Sequence, residues 1–248
     1  VYIMCDADVD GYHIKGLLIN AFYQMFPGLV ERGYVRALVT PVVKVNLSKK
    51  NTIEFYTEKA YKDWQEEHPG KKGEYYKGLG HFEAQETKEY FKKWKCVTYT
   101  LDEHSPARIE LVFGSKTANE RKAWIADYDS DALLMGADGT ITEYKTPLEG
   151  EVCINEFIDR ELVLYALESL DRAIPNMYDG FKETSRKVFY GTVKKHIPAG
   201  AKILVYQLMG FIAENTHYHH GDTSLGETIV SMAQGFVGSN NIPLLANL

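Results

Sequence analysis

Short apolar runs and amphipathic stretches alternate along the first part of the chain. Residues 1–4 form an apolar run typical of a short buried strand. Over 13–25 the apolar residues recur at spacings of three and four, which predicts a helix that ends at Pro27 and Gly28. A second strand-like run covers 35–45. The order strand, helix, strand predicts an α/β layer with a parallel sheet.

The pattern changes after residue 126. Residues 127–150 are rich in Gly and Asp and include Pro147, so we interpret them as a linker between 1–126 and 151–248. After the linker, short helical patterns with basic residues and little strand predict a helix-turn-helix or winged-helix module. Further helices are predicted over 83–94, 120–125, 157–170, 186–195, 205–215 and 225–236.

Composition narrows the class of protein. The 248 residues are 45% hydrophobic and 12% aromatic, which is enough apolar material for a folded core. No apolar run approaches the roughly 20 residues of a membrane span, so no membrane partner is expected. The three cysteines are far apart, which favours free thiols in a reducing compartment.

An acidic turn follows the first strand. Asp6, Asp8 and Asp10 alternate with small or apolar residues and lead into Gly11. Carboxylates this close together repel one another unless a cation lies among them, and oxygen ligands favour Mg²⁺ or Ca²⁺. An EF-hand is excluded, because Leu17 stands where that loop needs a bidentate glutamate. A solvated turn without metal remains the alternative.

Positive charge is concentrated later in the chain, although the net charge is −6. Between Lys182 and Lys202 there are six cations and one acid, and Lys182 and Arg186 would share a helix face that could bind phosphates. A solvated helix face explains the same pattern. The histidine cluster 217–222 fits a general acid, a phosphate donor, a polar helix cap or, less well, a zinc site.

Five blocks of sequence, in order along the chain, together resemble the eukaryotic-type DNA topoisomerase II family, which large DNA viruses also carry. The first block, 4–20, is similar to the metal-binding half of the TOPRIM domain of that family. The other four are Tyr75–Gly80 (YYKGLG), Asp179–Lys182 with Arg186–Val188, Tyr218–Gly221 (YHHG) and Ala233–Asn241. The resemblance implies a parallel-sheet, Rossmann-like α/β TOPRIM portion over 1–126. It also implies a mainly α winged-helix portion over 151–248.

The same resemblance implies an activity. The family forms ATP-dependent homodimers that cut both strands of one duplex DNA, pass another duplex through and reseal the break. A tyrosine forms a transient 5′-phosphotyrosyl link, and one or two Mg²⁺ ions are held by carboxylates that match Asp6, Asp8 and Asp10. ATP is bound outside this segment.

Individual site residues follow from the matching positions. The family positions that support cleavage near the scissile phosphate match Arg172, Lys182, Arg186 and His220. The same four residues, together with Lys77 and Lys187, match DNA-binding positions. Asp179 matches an acid that supports this region structurally.

The chain also departs from the family pattern. The first TOPRIM glutamate and the nucleophilic tyrosine with its preceding arginine are absent, so this chain alone is expected not to cleave DNA. The family's Pro-Gly-Gln is replaced by Glu183-Thr184-Ser185, which places a negative charge beside the DNA-facing side.

Three hypotheses therefore remain open. The first is a segment of a type II topoisomerase that binds double-stranded DNA and Mg²⁺, acting in the nucleus if eukaryotic or inside the host cell if viral. The second is a non-catalytic module that binds DNA, and metal unless the acidic turn is merely structural. The third is a different TOPRIM nuclease or primase, which would leave the YHHG block unexplained.

Overall fold

The chain divides into two units, residues 1–167 and 168–248, in its computed structural model. The structure describes residues 1–48, 51–56, 58–75, 87–88, 91–92, 95–128, 134–135, 141–142, 149–198, 200–218, 220–236 and 244–245. The strands are β1 Tyr2–Ile3, β2 Arg36–Leu38, β3 Val43–Ser48, β4 Asn51–Phe55, β5 Glu74–Tyr75, β6 Cys96–Thr100, β7 Leu134–Met135, β8 Ile141–Thr142 and β9 Gly150–Cys153. The helices are α1 Val9–Met25, α2 Pro27–Glu31, α3 Glu58–Glu67, α4 Ser105–Phe113, α5 Ala118–Ala126, α6 Ile154–Phe157, α7 Val163–Ala173, α8 Glu183–Lys194, α9 Val205–Thr216 and α10 Asp222–Met232. A π-helical turn, Ile158–Leu162, joins α6 to α7.

The main sheet of the first unit is mixed, which corrects the predicted parallel sheet. Its strand order is β1-β2-β6-β9. β1 and β2 are parallel and so are β6 and β9, but β6 runs antiparallel to β2. The predicted strand over 35–45 is also divided between two sheets, because β3 pairs with β4 and β5 instead. Pro41 lies at the division, and a proline has no N–H to donate to a central ladder.

The predicted first helix is confirmed, but its buried face differs from the apolar face that the spacing predicted. α1 begins at Val9 and buries Gly11, Gly16 and Ile19. A Cβ at Gly16 would lie 3.2 Å from the Leu162 side chain, so this glycine allows a close approach. The apolar residues left exposed on α1 are Ile14, Leu17, Leu18 and Met25.

The end of the first unit lies later than the predicted start of the second domain at 151. β9 pairs with β6 along its whole length, from Gly150 to Cys153, so these residues belong to the sheet of the first unit. Buried residues of the following helical segment, Phe157 and Ile158, join the same core as Tyr99. The predicted helix over 120–125 is confirmed as α5. The helix over 83–94 and the linker over 127–150 fall largely outside the described residues.

The second unit is built on three helices that pack against one another, α8, α9 and α10. Their shared core contains Val188, Leu208, Ile212, Tyr218, Leu225, Ile229 and Met232. No strand occurs in the described residues from 168 onward, so the mainly helical character is observed while a winged helix stays a prediction. Within the described chain, no helix combines the length and hydropathy that crossing a bilayer requires.

The crossing of α8 and α9 provides a test of this packing. A Cβ at Gly191 would lie 2.6 Å from Cγ1 of Ile212, which is fully buried, whereas a Cβ at Gly210 would meet nothing within 4 Å. We expect Gly191→Ala to lower the free energy of unfolding by about 1–3 kcal/mol through overpacking. Gly210→Ala, the matched control, should raise it by about 0.5–1 kcal/mol through helix propensity. Urea unfolding measures both, and stabilisation by Gly191→Ala would contradict the close crossing.

Candidate nucleic-acid interface

A tight loop precedes the basic helix α8. The backbone N–H of Asn176 donates to the carbonyl oxygen of Phe181 at 2.9 Å, and the N–H of Gly180 donates back to the carbonyl of Asn176 at 2.8 Å. Gly180 has φ +69°, a left-handed conformation that glycine adopts without steric cost. The loop is therefore closed on itself before the helix begins.

An arginine of α8 fixes the loop from the other side. The Nε of Arg186 donates to Oδ2 of Asp179 at 2.5 Å, and its Nη2 donates to Oδ1 at 2.8 Å. The same Nη2 also donates to the carbonyl of Phe181 at 3.1 Å. This bidentate geometry is the strong form of an arginine–carboxylate pair. Arg186, predicted to contact DNA, is thus already held by an acid, while its Nη1 takes no part in these three hydrogen bonds.

The pair changes the acidity of the carboxyl group. Hydrogen bonds from the Arg186 side chain, and secondarily from the Phe181 backbone, lower the pKa of Asp179 to about 2. The carboxylate therefore stays ionised, and the pair intact, throughout the neutral range. The predicted structural role of Asp179 has a physical basis in this contact.

A groove of about 290 Å³ lies beside this pair and gathers several predicted residues. Its lining consists of Glu183, Arg186, Lys187, Tyr190 and Thr216. Nζ of Lys187 is 2.6 Å from Oε1 of Glu183, one helical turn earlier. Both cations of the groove therefore have an acidic partner within the same unit, and a phosphate would compete with those partners.

The histidine motif lies next to the groove through a tyrosine. Nζ of Lys187 is 6.0 Å from the centroid of the buried Tyr218 ring. The rings of Tyr218 and His220 meet edge to face, with centroids 5.5 Å apart. His217, before them, ends α9 in a left-handed conformation that turns the chain. Contacts thus link Arg186 and Lys187 to His220, as the shared site predicted from sequence requires.

The remaining predicted cations are placed differently. Lys182 is exposed at the N-cap position of α8, with its backbone extended. Nε of Arg172 lies 3.7 Å from Oε1 of Glu168, near the end of α7 and apart from the groove lining. Lys77, with the YKGLG block, lies outside the described residues, as does His219.

The acidic turn has a structural role of its own. Asp8 is the N-cap of α1, and its Oδ1 accepts a hydrogen bond from the N–H of Gly11 at 2.7 Å. A Cβ at Gly11 would collide with the carbonyl oxygen of Asp6, so the turn requires glycine there. Asp6 and Asp8 are exposed and Asp10 is half-buried.

The turn meets the chemical requirement for Mg²⁺ more fully than the geometric one. Its side chains are all carboxylates, which are the ligands a hard cation prefers. Among the residues that the structure describes, however, no group of three or more His, Cys, Asp or Glu side chains is placed to hold an ion. The three aspartates alone, as arranged here, do not form a closed ligand set.

A buried ion pair stands behind the acidic turn. Nζ of Lys15 on α1 is 3.1 Å from Oε2 of Glu161, and both side chains are largely buried. Glu161 lies in the π-helical turn, a rare element that is frequent at functional sites. Lys15 also lies 5.1 Å from the ring centroid of Tyr12. Sequence analysis missed this pair, because its partners are 146 residues apart.

Two groove residues were also missed. Tyr190 follows Arg186 by four positions, so helical spacing alone could have placed it on the same face. Nζ of Lys194 lies 5.7 Å from its ring centroid. Thr216 reaches the groove from α9, and only the packing of two helices brings it there.

Comparison with known proteins gives matches along nearly the whole chain. A family model described as the C-terminal associated domain of TOPRIM matches residues 38–170, and one for DNA gyrase/topoisomerase IV matches residues 172–247. DNA topoisomerase 2 of Saccharomyces cerevisiae is 42% identical over 252 residues, covering 98% of this chain and 17% of that protein. DNA topoisomerase 2-alpha of Rattus norvegicus is 37% identical, covering 99% and 16%.

A solved structure agrees with these matches. The DNA-binding, cleavage and re-ligation domain of Plasmodium falciparum topoisomerase II superposes with a TM-score of 0.75 at 35% identity. The match covers 99% of this chain and 32% of that one. The chain thus spans about a sixth of the length of the curated relatives it matches.

The titration of Asp179 tests the loop contact. We expect the carboxyl of Asp179 to titrate near pH 2 in the folded chain, and Arg186→Gln to move its pKa back towards the ordinary value of 3.8. Because the folded pKa is the lower one, the stabilisation is complete above the unfolded pKa and is lost as the pH falls towards 2. Carboxyl ¹³C NMR shifts follow the titration.

Lys187→Gln is the matched control, since Lys187 pairs with Glu183 and not with Asp179. It should leave the Asp179 titration in place. An unchanged titration in Arg186→Gln would show that the pair does not form in solution.

Proposed function

Because this chain belongs to the family of eukaryotic-type type II DNA topoisomerases, we propose that it forms part of the DNA-binding and cleavage core of such an enzyme. The full protein would act as an ATP-dependent homodimer that makes and reseals double-strand breaks in DNA. A phosphotyrosyl link would hold the broken strand, with its tyrosine and the ATP site both outside this segment. The nucleus is the proposed location for a eukaryotic protein, and the infected host cell for a viral one.

One observation carries the DNA-binding part of this proposal, namely the groove in which Arg186 and Lys187 meet next to Tyr218 and His220. The groove places a planar guanidinium and a flexible ammonium on one helix face, and both groups bind phosphate oxygens well. His220 would add a hydrogen-bond donor near the same backbone. Lys182, exposed at the start of α8, extends the cationic surface. Arg172 and Lys77 remain proposed DNA contacts on the strength of the matching sequence positions.

The acids beside these cations would set the affinity. Glu183 replaces a proline of the family pattern and holds Lys187 at 2.6 Å. A phosphate must displace that carboxylate, whose negative charge then stays beside the DNA. Binding by this chain would therefore be weaker than the number of cations suggests. Asp179 differs in that its bidentate pair keeps Nη1 of Arg186 outside the contact.

We propose that Asp6, Asp8 and Asp10 hold Mg²⁺ together with ligands outside the described residues. The ion would stabilise negative charge on the reacting phosphodiester oxygens. Asp8 would have two functions, because it also caps α1 through Oδ1. The buried Lys15–Glu161 pair would keep the start of α1 in place.

The alternative is a non-catalytic DNA-binding module in which the acidic turn only begins a helix. The N-cap hydrogen bond of Asp8 favours it, and so does the lack of a three-ligand group among the described residues. The two functions differ in Mg²⁺ binding, which is directly measurable.

Salt dependence tests the DNA interface. We expect duplex DNA to bind with an affinity that falls steeply with KCl, at a log–log slope of about −0.9 for each phosphate neutralised. Glu183→Gln should raise affinity on the order of fivefold at low salt, because releasing Lys187 from an exposed pair is worth up to about 1 kcal/mol. Fluorescence anisotropy measures both effects.

The matched control is Glu227→Gln, which removes the same charge from an exposed position on α10 that does not line the groove. It should change affinity much less than Glu183→Gln. Equal effects would mean that net charge alone matters, and a salt-independent affinity would remove the DNA-interface proposal.

Two substitutions of one residue test the metal proposal. Asp8→Asn keeps an N-cap acceptor but removes the charge, so it should leave helix stability nearly unchanged and weaken Mg²⁺ binding at least about tenfold. Asp8→Ala should weaken Mg²⁺ binding as well and also lower the free energy of unfolding by about 1 kcal/mol. Calorimetric titration with Mg²⁺ and thermal unfolding separate the two effects. Unchanged Mg²⁺ affinity in Asp8→Asn would support the non-catalytic module.

A further inference from the structure

The loop before α8 carries two adjacent apolar side chains that the fold leaves in water. Met177 is 86% exposed and Tyr178 is 90% exposed, the highest values among the exposed large hydrophobic residues described. Such residues are usually covered by something when they occur together with a charged rim. The core of the second unit does not include them.

The loop that carries them is held firmly. The N–H of Tyr178 donates to Oδ1 of Asn176 at 2.9 Å, in addition to the backbone bonds that close the loop. At its return the ring of Phe181 packs against Phe189 of α8, with centroids 5.6 Å apart. The bidentate pair with Arg186 immobilises Asp179, the residue directly after Tyr178. The apolar tip is therefore presented with little ordering entropy left to lose on binding.

The surroundings of the tip indicate the chemistry of its partner. Arg186 reaches Asp179, next to Tyr178, and Lys182 is exposed three residues further along. An apolar surface bordered by cations complements a polyanion that also exposes apolar atoms. Duplex DNA has this combination, because sugars and base edges lie between its phosphate rows. Side chains such as methionine are used in this way by proteins that contact a groove.

We propose that Met177 and Tyr178 form an apolar contact with the sugars and base edges of duplex DNA, while Lys182 and Lys187 bind the flanking phosphates. This inference rests on the proposed DNA-binding function and deepens it. The phosphate contacts depend on salt through released counterions, whereas the apolar contact does not. The two kinds of contact can therefore be separated experimentally.

The test measures binding of the full chain to a fluorescein-labelled duplex over a series of KCl concentrations. The double variant Met177→Ala/Tyr178→Ala should lose about tenfold in affinity at every salt concentration, with the log–log slope unchanged. Tyr178→Phe, which keeps the ring, should bind like the parent chain. Lys182→Ala should instead reduce the slope by about one contact, or about 0.9. Circular dichroism melting checks that the variants fold, as expected for such exposed positions.

The outcomes distinguish this inference from the function on which it rests. If the parent chain binds DNA with a steep salt response and the double variant binds equally well, the apolar contact is wrong and the DNA interface stands. If the parent chain does not bind DNA, the proposed function itself fails. A double variant that changes only the self-association of the DNA-free chain would assign the tip to a second copy and overturn the inference.

Discussion

The charge of Arg186 is engaged by Asp179 before any ligand arrives, and the surface of the second unit depends on that contact. The bidentate pair fixes the loop over 176–181 against the start of α8. With the loop fixed, Met177 and Tyr178 remain in water and Lys182 is left exposed at the first turn. A free arginine in the same position would bind a phosphate more readily, but the loop would have lost its anchor. The unit thus uses part of its positive charge to position the rest.

A similar double use of charge occurs in the acidic turn of the first unit. Asp8 satisfies an N–H that would otherwise lack a partner at the start of α1. The geometry that makes a good helix cap also brings Asp6 and Asp10 within a few residues of it. Repulsion among the three is tolerable in water because Asp6 and Asp8 are exposed. A cation would relieve that repulsion further, which is the physical reason for connecting the turn with Mg²⁺.

Helices were predicted more accurately from the sequence than strands were. α1 and α5 depend on spacing within one segment, which the sequence states directly. The antiparallel partner β6 and the late strand β9 depend on pairing between distant segments, which periodicity does not encode. Pro41 was a local signal for dividing the run over 35–45. In the site, Arg186, Lys187 and His220 were predicted through a family resemblance, while Thr216 required the packing of two helices.

The buried Lys15–Glu161 pair has a consequence for the divergence of such chains. Its two side chains are largely shielded from water, so losing one leaves an uncompensated charge, whereas exchanging both for apolar residues is far less costly. Selection should therefore make positions 15 and 161 covary, although 146 residues separate them. A chimaera that joins α1 from one homologue to the π-helical turn of another would inherit a mismatched pair whenever the two parents had diverged at these positions.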